Sequence, residues 1–129
     1  MSQITGHIGK DHYKTEIKST SNSIIADEPL SNGGQDLGFS PHDLLASSLA
    51  ACTCITVRMY ADRKEWELRE IFVNVSVEKV EGKTKITRAI ELKGELDTTQ
   101  TERLMAIANK CPIHQILSNP IEIETFSVL

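Results

Sequence analysis

"SPHDLLASSLAACTCITVRMYADRK", residues 40 to 64, is the stretch on which the fold turns. Ser40 suits an N-cap, because its hydroxyl can accept from a first-turn N–H that has no helical partner. Pro41 fits the first helical position, and Asp43 sits where the acid of a capping box belongs. Apolar residues then recur at helical spacing to about Lys64, which predicts one helix roughly 35 Å long at ~1.5 Å per residue. Projected on a helix, Leu45, Ser48, Leu49, Cys52, Ile55 and Met59 form a wide apolar face expected to meet a sheet. Ala46, Ser47, Ala50, Cys54, Val57 and Ala61 form a small face suited to close approach of another helix. That neighbour is either a second helix of this chain or a copy of the same helix across a dimer axis.

The flanks set the class. Residues 4 to 28 alternate weakly and predict two or three short strands with turns. "DEPLSNGGQDLG", residues 27 to 38, is dense in Pro, Gly, Asn and Asp and reads as a long loop, of a length at which function becomes more common. After the helix, residues 69 to 80 put Ile71, Val73, Val75 and Val77 on one strand face, and residues 84 to 96 do the same with Ile86, Ile90 and Leu92. "EGK" between them predicts a hairpin. A second helix follows "DTTQTERL", with Thr99 and Glu102 as its capping box, and ends near Lys110. Pro112 opens a further helical turn with Cys111 at its N-cap. "PIEIETFSVL" closes the chain as a strand with Ile121, Ile123 and Thr125 on one parity. Helices segregated from antiparallel strands make an α+β domain.

A chain of 129 residues is expected to form one domain, residues 1–129. Its net charge of −4 gives no field that attracts nucleic acid or an anionic membrane. The start, "MSQITGHIGKDH", has no basic segment followed by an apolar one, and residues 44 to 57 are too short and too often interrupted by Ser and Thr to span a bilayer. A cytoplasmic setting is expected. There a structural disulfide is disfavoured, and cysteines point to catalysis, redox sensing or metal.

The chain has three cysteines. Cys52 and Cys54 lie about 200° apart on a helix at ~100° per residue, so they neither bond each other nor clamp a metal together. At most one of them pairs with Cys111. Cys111, at a helix N-terminus with His114 three residues on, has local means of favouring its thiolate. Packing as a small hydrophobe is the ordinary alternative for each, above all for Cys54 in its small-residue setting. His7, His12 and His42 add no metal-ligand spacing, and no metal is expected.

"FSPHDLLASSLAACTCITVRMYADRK" and, about sixty residues later, "ANKCPIHQILSNPIEIET" resemble the superfamily of osmotically inducible protein OsmC and the organic hydroperoxide resistance protein Ohr. "DEPLSNGGQDLGFSP" points to its OsmC-like branch. The resemblance implies an intertwined homodimer with long central helices between antiparallel sheets. It also implies a thiol peroxidase without cofactor. Cys52 would be the peroxidatic residue, Cys111 the resolving one, and Cys54 neither. A small-molecule organic hydroperoxide would be the substrate and a dithiol the reductant, with no nucleic acid or membrane partner. Members of the superfamily activate the peroxidatic thiol with an arginine from the N-terminal strands and a glutamate after the helix start. Here no arginine precedes Arg58, and His42 holds the glutamate position. The candidate cations are Lys10, Lys14, Lys18 and Arg88, and the candidate acids Asp27, Glu28 and Asp43. His42 and His114 are further candidates for a supporting role. Arg58, Arg63 and Lys64 read as the solvated end of the helix. Two other functions stay open: a thiol–disulfide redox protein in which Cys111 attacks first, and a non-catalytic dimer that holds a small apolar molecule.

Overall fold

The computed structural model describes residues 3–128. Its elements are β1 (Thr5–His7), β2 (Thr15–Lys18), β3 (Ser23–Ala26), a 3-10 turn (Leu30–Asn32), α1 (Pro41–Lys64), β4 (Glu67–Val80), β5 (Lys83–Glu95), α2 (Thr98–Ala108) and α3 (Pro112–Leu117). They form two compact units, one ending at Ala46 and the other beginning at Ser47.

In the first unit β1, β2 and β3 make an antiparallel sheet in that order. The loop after β3 is organised by Asp27, which is only 2% exposed. Its carboxylate accepts from the backbone N–H groups of Tyr13, Glu28, Gln35 and Leu37. Burial pushes the carboxyl up, but those four donors hold it below the usual carboxylate range. The helix start is as expected: the Ser40 hydroxyl accepts from the Asp43 N–H at 3.2 Å.

The second unit is built on a long hairpin. Glu81 and Gly82, with φ of 51° and 78°, form its two-residue turn, and both central residues of a type I′ turn require positive φ. β4 and β5 pair from Glu67↔Glu95 to Val80↔Lys83 with one irregularity between Leu68 and Glu70. Gly94 sits opposite that irregularity, where an added Cβ would lie 1.9 Å from the Glu67 carbonyl oxygen. Ile71, Val73, Val75 and Val77 share the half-buried parity, as do Ile86, Arg88, Ile90 and Leu92. Against this face pack α1 and α2, with Val57, Ala61, Leu68, Leu104 and Ala108 at the centre of the core.

Four expectations change. The buried row of α1 is Leu49, Thr53, Val57 and Ala61. It runs between the two projected faces, so Val57 and Ala61 belong to the chain's own core, while Ile55 and Met59 are 57% and 63% exposed. The cap of α2 is Asp97 rather than Thr99: Asp97 accepts from the Gln100 N–H at 2.8 Å, and the Gln100 side chain accepts from the Asp97 N–H at 3.0 Å. Arg58 is not a solvated helix end, because it donates to the carbonyls of Leu68 and Arg69 at 2.6 and 3.0 Å and so holds the irregular start of β4. Residues 120–128 form no strand within this chain, and Ile121, Ile123, Phe126 and Val128 are exposed. Their alternation is that of a strand, but among the described residues no neighbour offers the ladder; Leu129 lies outside those residues. By length and composition alone α1 would reach across a membrane, unlike the shorter stretch weighed from the sequence, but its buried row serves the core.

Candidate functional site

α1 carries Cys52 beside the buried Thr53, and the short turn after α2 carries Cys111 to the head of α3. Cys111 occupies the N-cap position of α3 and is wholly buried, whereas Cys52 is half-buried. Both are free thiols. The two thiols interact, and Cys111 favours the thiolate form of Cys52. The backbone N–H of Ile113, in the first turn of α3, favours that thiolate as well. The Thr56 hydroxyl, one helical turn along α1, lies 3.9 Å from the Cys52 sulfur, and either group can donate.

These contacts separate the two thiols. Burial pushes Cys52 up. The hydrogen bonds from Cys111, Ile113 and Thr56, together with the charge of Arg88, more than offset it and leave Cys52 below the ordinary thiol range. Cys111 goes the other way: burial and its bond to Cys52 push it up, against the backbone donors His114 and Ile113. The first turn of α3 therefore activates the cysteine it faces more than the cysteine it carries. Cys111 does have the backbone donors that its place at a helix head implies, but burial and Cys52 outweigh them.

Arg88 stands on the inward parity of β5. Its guanidinium donates to the Thr53 hydroxyl at 3.0 Å, to the Ala108 carbonyl at 3.1 Å and to the Asn109 side-chain oxygen at 2.7 Å. Thr53 passes its own proton to the Leu49 carbonyl at 2.7 Å. Beside this network lies a cavity of about 330 Å³ lined by Leu49, Thr84, Ile86, Arg88, His114, Leu117 and Ser118. A reactive sulfur donor set, a fixed cation and a mixed apolar and polar cavity suit attack on a small polarised substrate with an apolar body.

The OsmC-like protein family model matches residues 33–126. The chain belongs to the OsmC-like protein family. No curated protein matches it. Among solved structures, this OsmC-like chain is similar to an osmotic stress induced and detoxification response protein from Psychrobacter arcticus. That pair is 26% identical, with a TM-score of 0.75 over 90% of this chain and 88% of the other. An OsmC-like protein from Mycoplasma pneumoniae is 21% identical, with a TM-score of 0.78 over 92% and 87%. The organic hydroperoxide resistance protein OhrB of Bacillus subtilis is 24% identical, with a TM-score of 0.61 over 90% and 89%. At these identities the last two share the fold. The α+β OsmC-like architecture expected from the sequence is the one found.

Of the residues singled out in this OsmC-like sequence, Cys52, Cys111, Arg88 and His114 come together in the second unit. The His114 backbone N–H favours the Cys111 thiolate, and His114 lines the cavity. The candidates before residue 47 belong to the first unit, and Cys54 to the second. His42 and Asp43 are exposed in the first turn of α1. Asp27 is taken up by four backbone donors, Glu28 accepts from the Asn32 side chain, and Lys18 pairs with Glu16. Lys14 lines a separate groove with His7, Gly9, Asp11, Glu16 and Ile25. Cys54 lines another with Ile55, Arg58, Arg69, Glu70 and Ile71. Sequence reasoning missed Thr53, Thr56, Asn109 and the Ile113 N–H. Thr53 and Thr56 flank a cysteine within one helical turn, which was the available signal; the other two are placed by the turn between α2 and α3.

Proposed function

We propose that this OsmC-like protein is a cysteine-based peroxidase that reduces organic hydroperoxides, with Cys52 as nucleophile and Cys111 as resolving thiol. The observation that carries the reading is a pair of free thiols at one site, with Cys52 drawn toward its thiolate by Cys111, the Ile113 N–H and Thr56. The Cys52 thiolate attacks the distal oxygen of ROOH, the O–O bond breaks, and the alkoxide takes a proton and leaves as ROH. Cys52 is then a sulfenic acid. The Cys111 sulfur displaces its hydroxyl as water, forming the Cys52–Cys111 disulfide, and an external dithiol reduces that bond by exchange. The apolar cavity residues Leu49, Ile86 and Leu117 favour an alkyl or aryl peroxide over hydrogen peroxide. Relatives named for organic hydroperoxide resistance support this substrate class.

The working unit is a homodimer spanning residues 1–129 of each copy as one domain, in a cytoplasmic setting. Support comes from the family match, which runs across both compact units, and from apolar surface that a lone chain leaves bare at Ile55, Met59, Ile121, Ile123 and Phe126. The test is rapid mixing of reduced protein with cumene hydroperoxide or hydrogen peroxide. The reading expects one alcohol formed and two thiols lost per chain, faster with cumene hydroperoxide. Slow oxidation of both peroxides, with no disulfide, would remove it.

A further inference from the structure

The superfamily's arginine from the N-terminal strands is missing, so the source of positive charge at Cys52 needs its own account. Arg88 is held at three points by neutral acceptors: Thr53 Oγ1, the Ala108 carbonyl and Asn109 Oδ1. A guanidinium that pairs with a carboxylate loses most of its outward field, whereas one held by a hydroxyl, a carbonyl and an amide keeps it. No carboxylate among the described residues lies within ion-pair distance of Arg88. Its anchors also fix its direction. Thr53 adjoins Cys52 in the chain and is wholly buried. Asn109 is fixed in turn, because it is the C-cap of α2, its N–H bonding back to the Ala106 and Ile107 carbonyls. The Gln115 side chain donates to its carbonyl at 2.8 Å.

We infer that Asn109 is a positioning residue for the cysteine chemistry, which with Thr53 holds an uncompensated Arg88 guanidinium against the turn of α1 that carries Cys52. The inference rests on Cys52 being the reacting thiol. The clamp ties together three elements, since Arg88 comes from β5, Thr53 from α1 and Asn109 from the end of α2. Arginine suits the task because its planar fork meets several fixed acceptors at once, which a lysine ammonium does not. Arg88 also lines the cavity.

The test measures the pH dependence of iodoacetamide alkylation at Cys52, resolved from the other cysteines by peptide mapping. It uses no peroxide, so its outcome is separate from that of the peroxidase assay. Arg88→Met should move the alkylation half-point up by about half a pH unit, the scale of one partly screened charge. Asn109→Leu should produce much of the same shift alone and add little in the Arg88→Met background. Asn109→Asp preserves size and the bond to Arg88 but neutralises its charge, so its half-point should also rise, which keeps the test valid if the leucine variant folds poorly. Arg88→Lys should fail to restore the original profile. An unchanged half-point in folded Asn109→Leu and Asn109→Asp would overturn the inference. So would an Asn109→Leu shift of equal size with and without Arg88.

Discussion

Cys111 and Cys52 interact as free thiols, and Cys111 together with the Ile113 N–H two residues beyond it favours the Cys52 thiolate. The pair is therefore asymmetric before any substrate arrives: the pKa of one thiol is lowered, and that of the other, buried, is raised. The direction matters, because the thiolate and not the thiol is the nucleophile.

The first prediction follows from that asymmetry. Cys52 is held below the ordinary thiol range and Cys111 above it. Cys52 should therefore alkylate at pH values where an ordinary thiol is protonated, slowing only as the pH falls through its depressed pKa. Cys111 should resist alkylation until well above that range, and burial should slow it further. Mapping iodoacetamide adducts between pH 5 and pH 10 gives the order; early labelling of Cys111 would reverse it.

Acid should loosen the first unit through Asp27. Its carboxyl lies below the usual range in the folded chain. Its stabilising effect is thus present above the unfolded carboxyl pKa and is lost as the pH falls through the folded one. Asp27→Asn keeps a single acceptor oxygen for four backbone donors and places an NH₂ among them. It should lower the melting temperature by several degrees at neutral pH and flatten the acid limb of the melting curve. Thermal melts from pH 3 to pH 7 on both proteins would show this; parallel curves would contradict it.

Gly94 makes a local prediction in the hairpin. Its φ of 156° and the 1.9 Å approach of the Glu67 carbonyl oxygen to an added Cβ leave no room for a side chain. Gly94→Ala should cost about 1–3 kcal/mol, read as a lower denaturation midpoint. A midpoint equal to that of the unmutated protein would show that the strand end shifts freely.

The dimer proposal selects a strip of α1. Val57 and Ala61 are wholly buried within the chain, so the exposed pair Ile55 and Met59 is the surface available to a partner. Ile55→Asp should yield a monomer at micromolar concentration with unchanged circular dichroism. Sedimentation velocity checks it, and a monomeric unmutated protein, or a variant that stays dimeric, would defeat this surface.

Much of the architecture was legible where one local signal governed. Ser40 and Pro41 announced the long helix, the alternation around Val75 and Ile90 announced the hairpin, and Pro112 placed Cys111 at a helix head. Where two local signals competed, the reading slipped: Asp97 with Gln100 and Thr99 with Glu102 both fit a capping box, and the chain uses the earlier pair. The face of α1 was misjudged because Thr53 reads as polar, yet its hydroxyl is satisfied by Leu49 and Arg88 and so tolerates full burial. The closing segment alternates as a strand should, but pairing needs a neighbour, which no local pattern reveals. The site was half legible. Both cysteines and the inward parity of Arg88 were in the sequence, whereas the meeting of Ile113 with Cys52 joins residues 61 positions apart and exists only in the fold.

The most direct test of the central claim is a single-turnover reaction of two variants with cumene hydroperoxide in the presence of dimedone. Cys111→Ser should consume one peroxide per chain and carry dimedone on Cys52. Cys52→Ser should consume none at a comparable rate and carry no adduct. If Cys52→Ser keeps the full single-turnover rate while Cys111→Ser loses it, Cys111 is the attacking thiol and the account of this site is wrong.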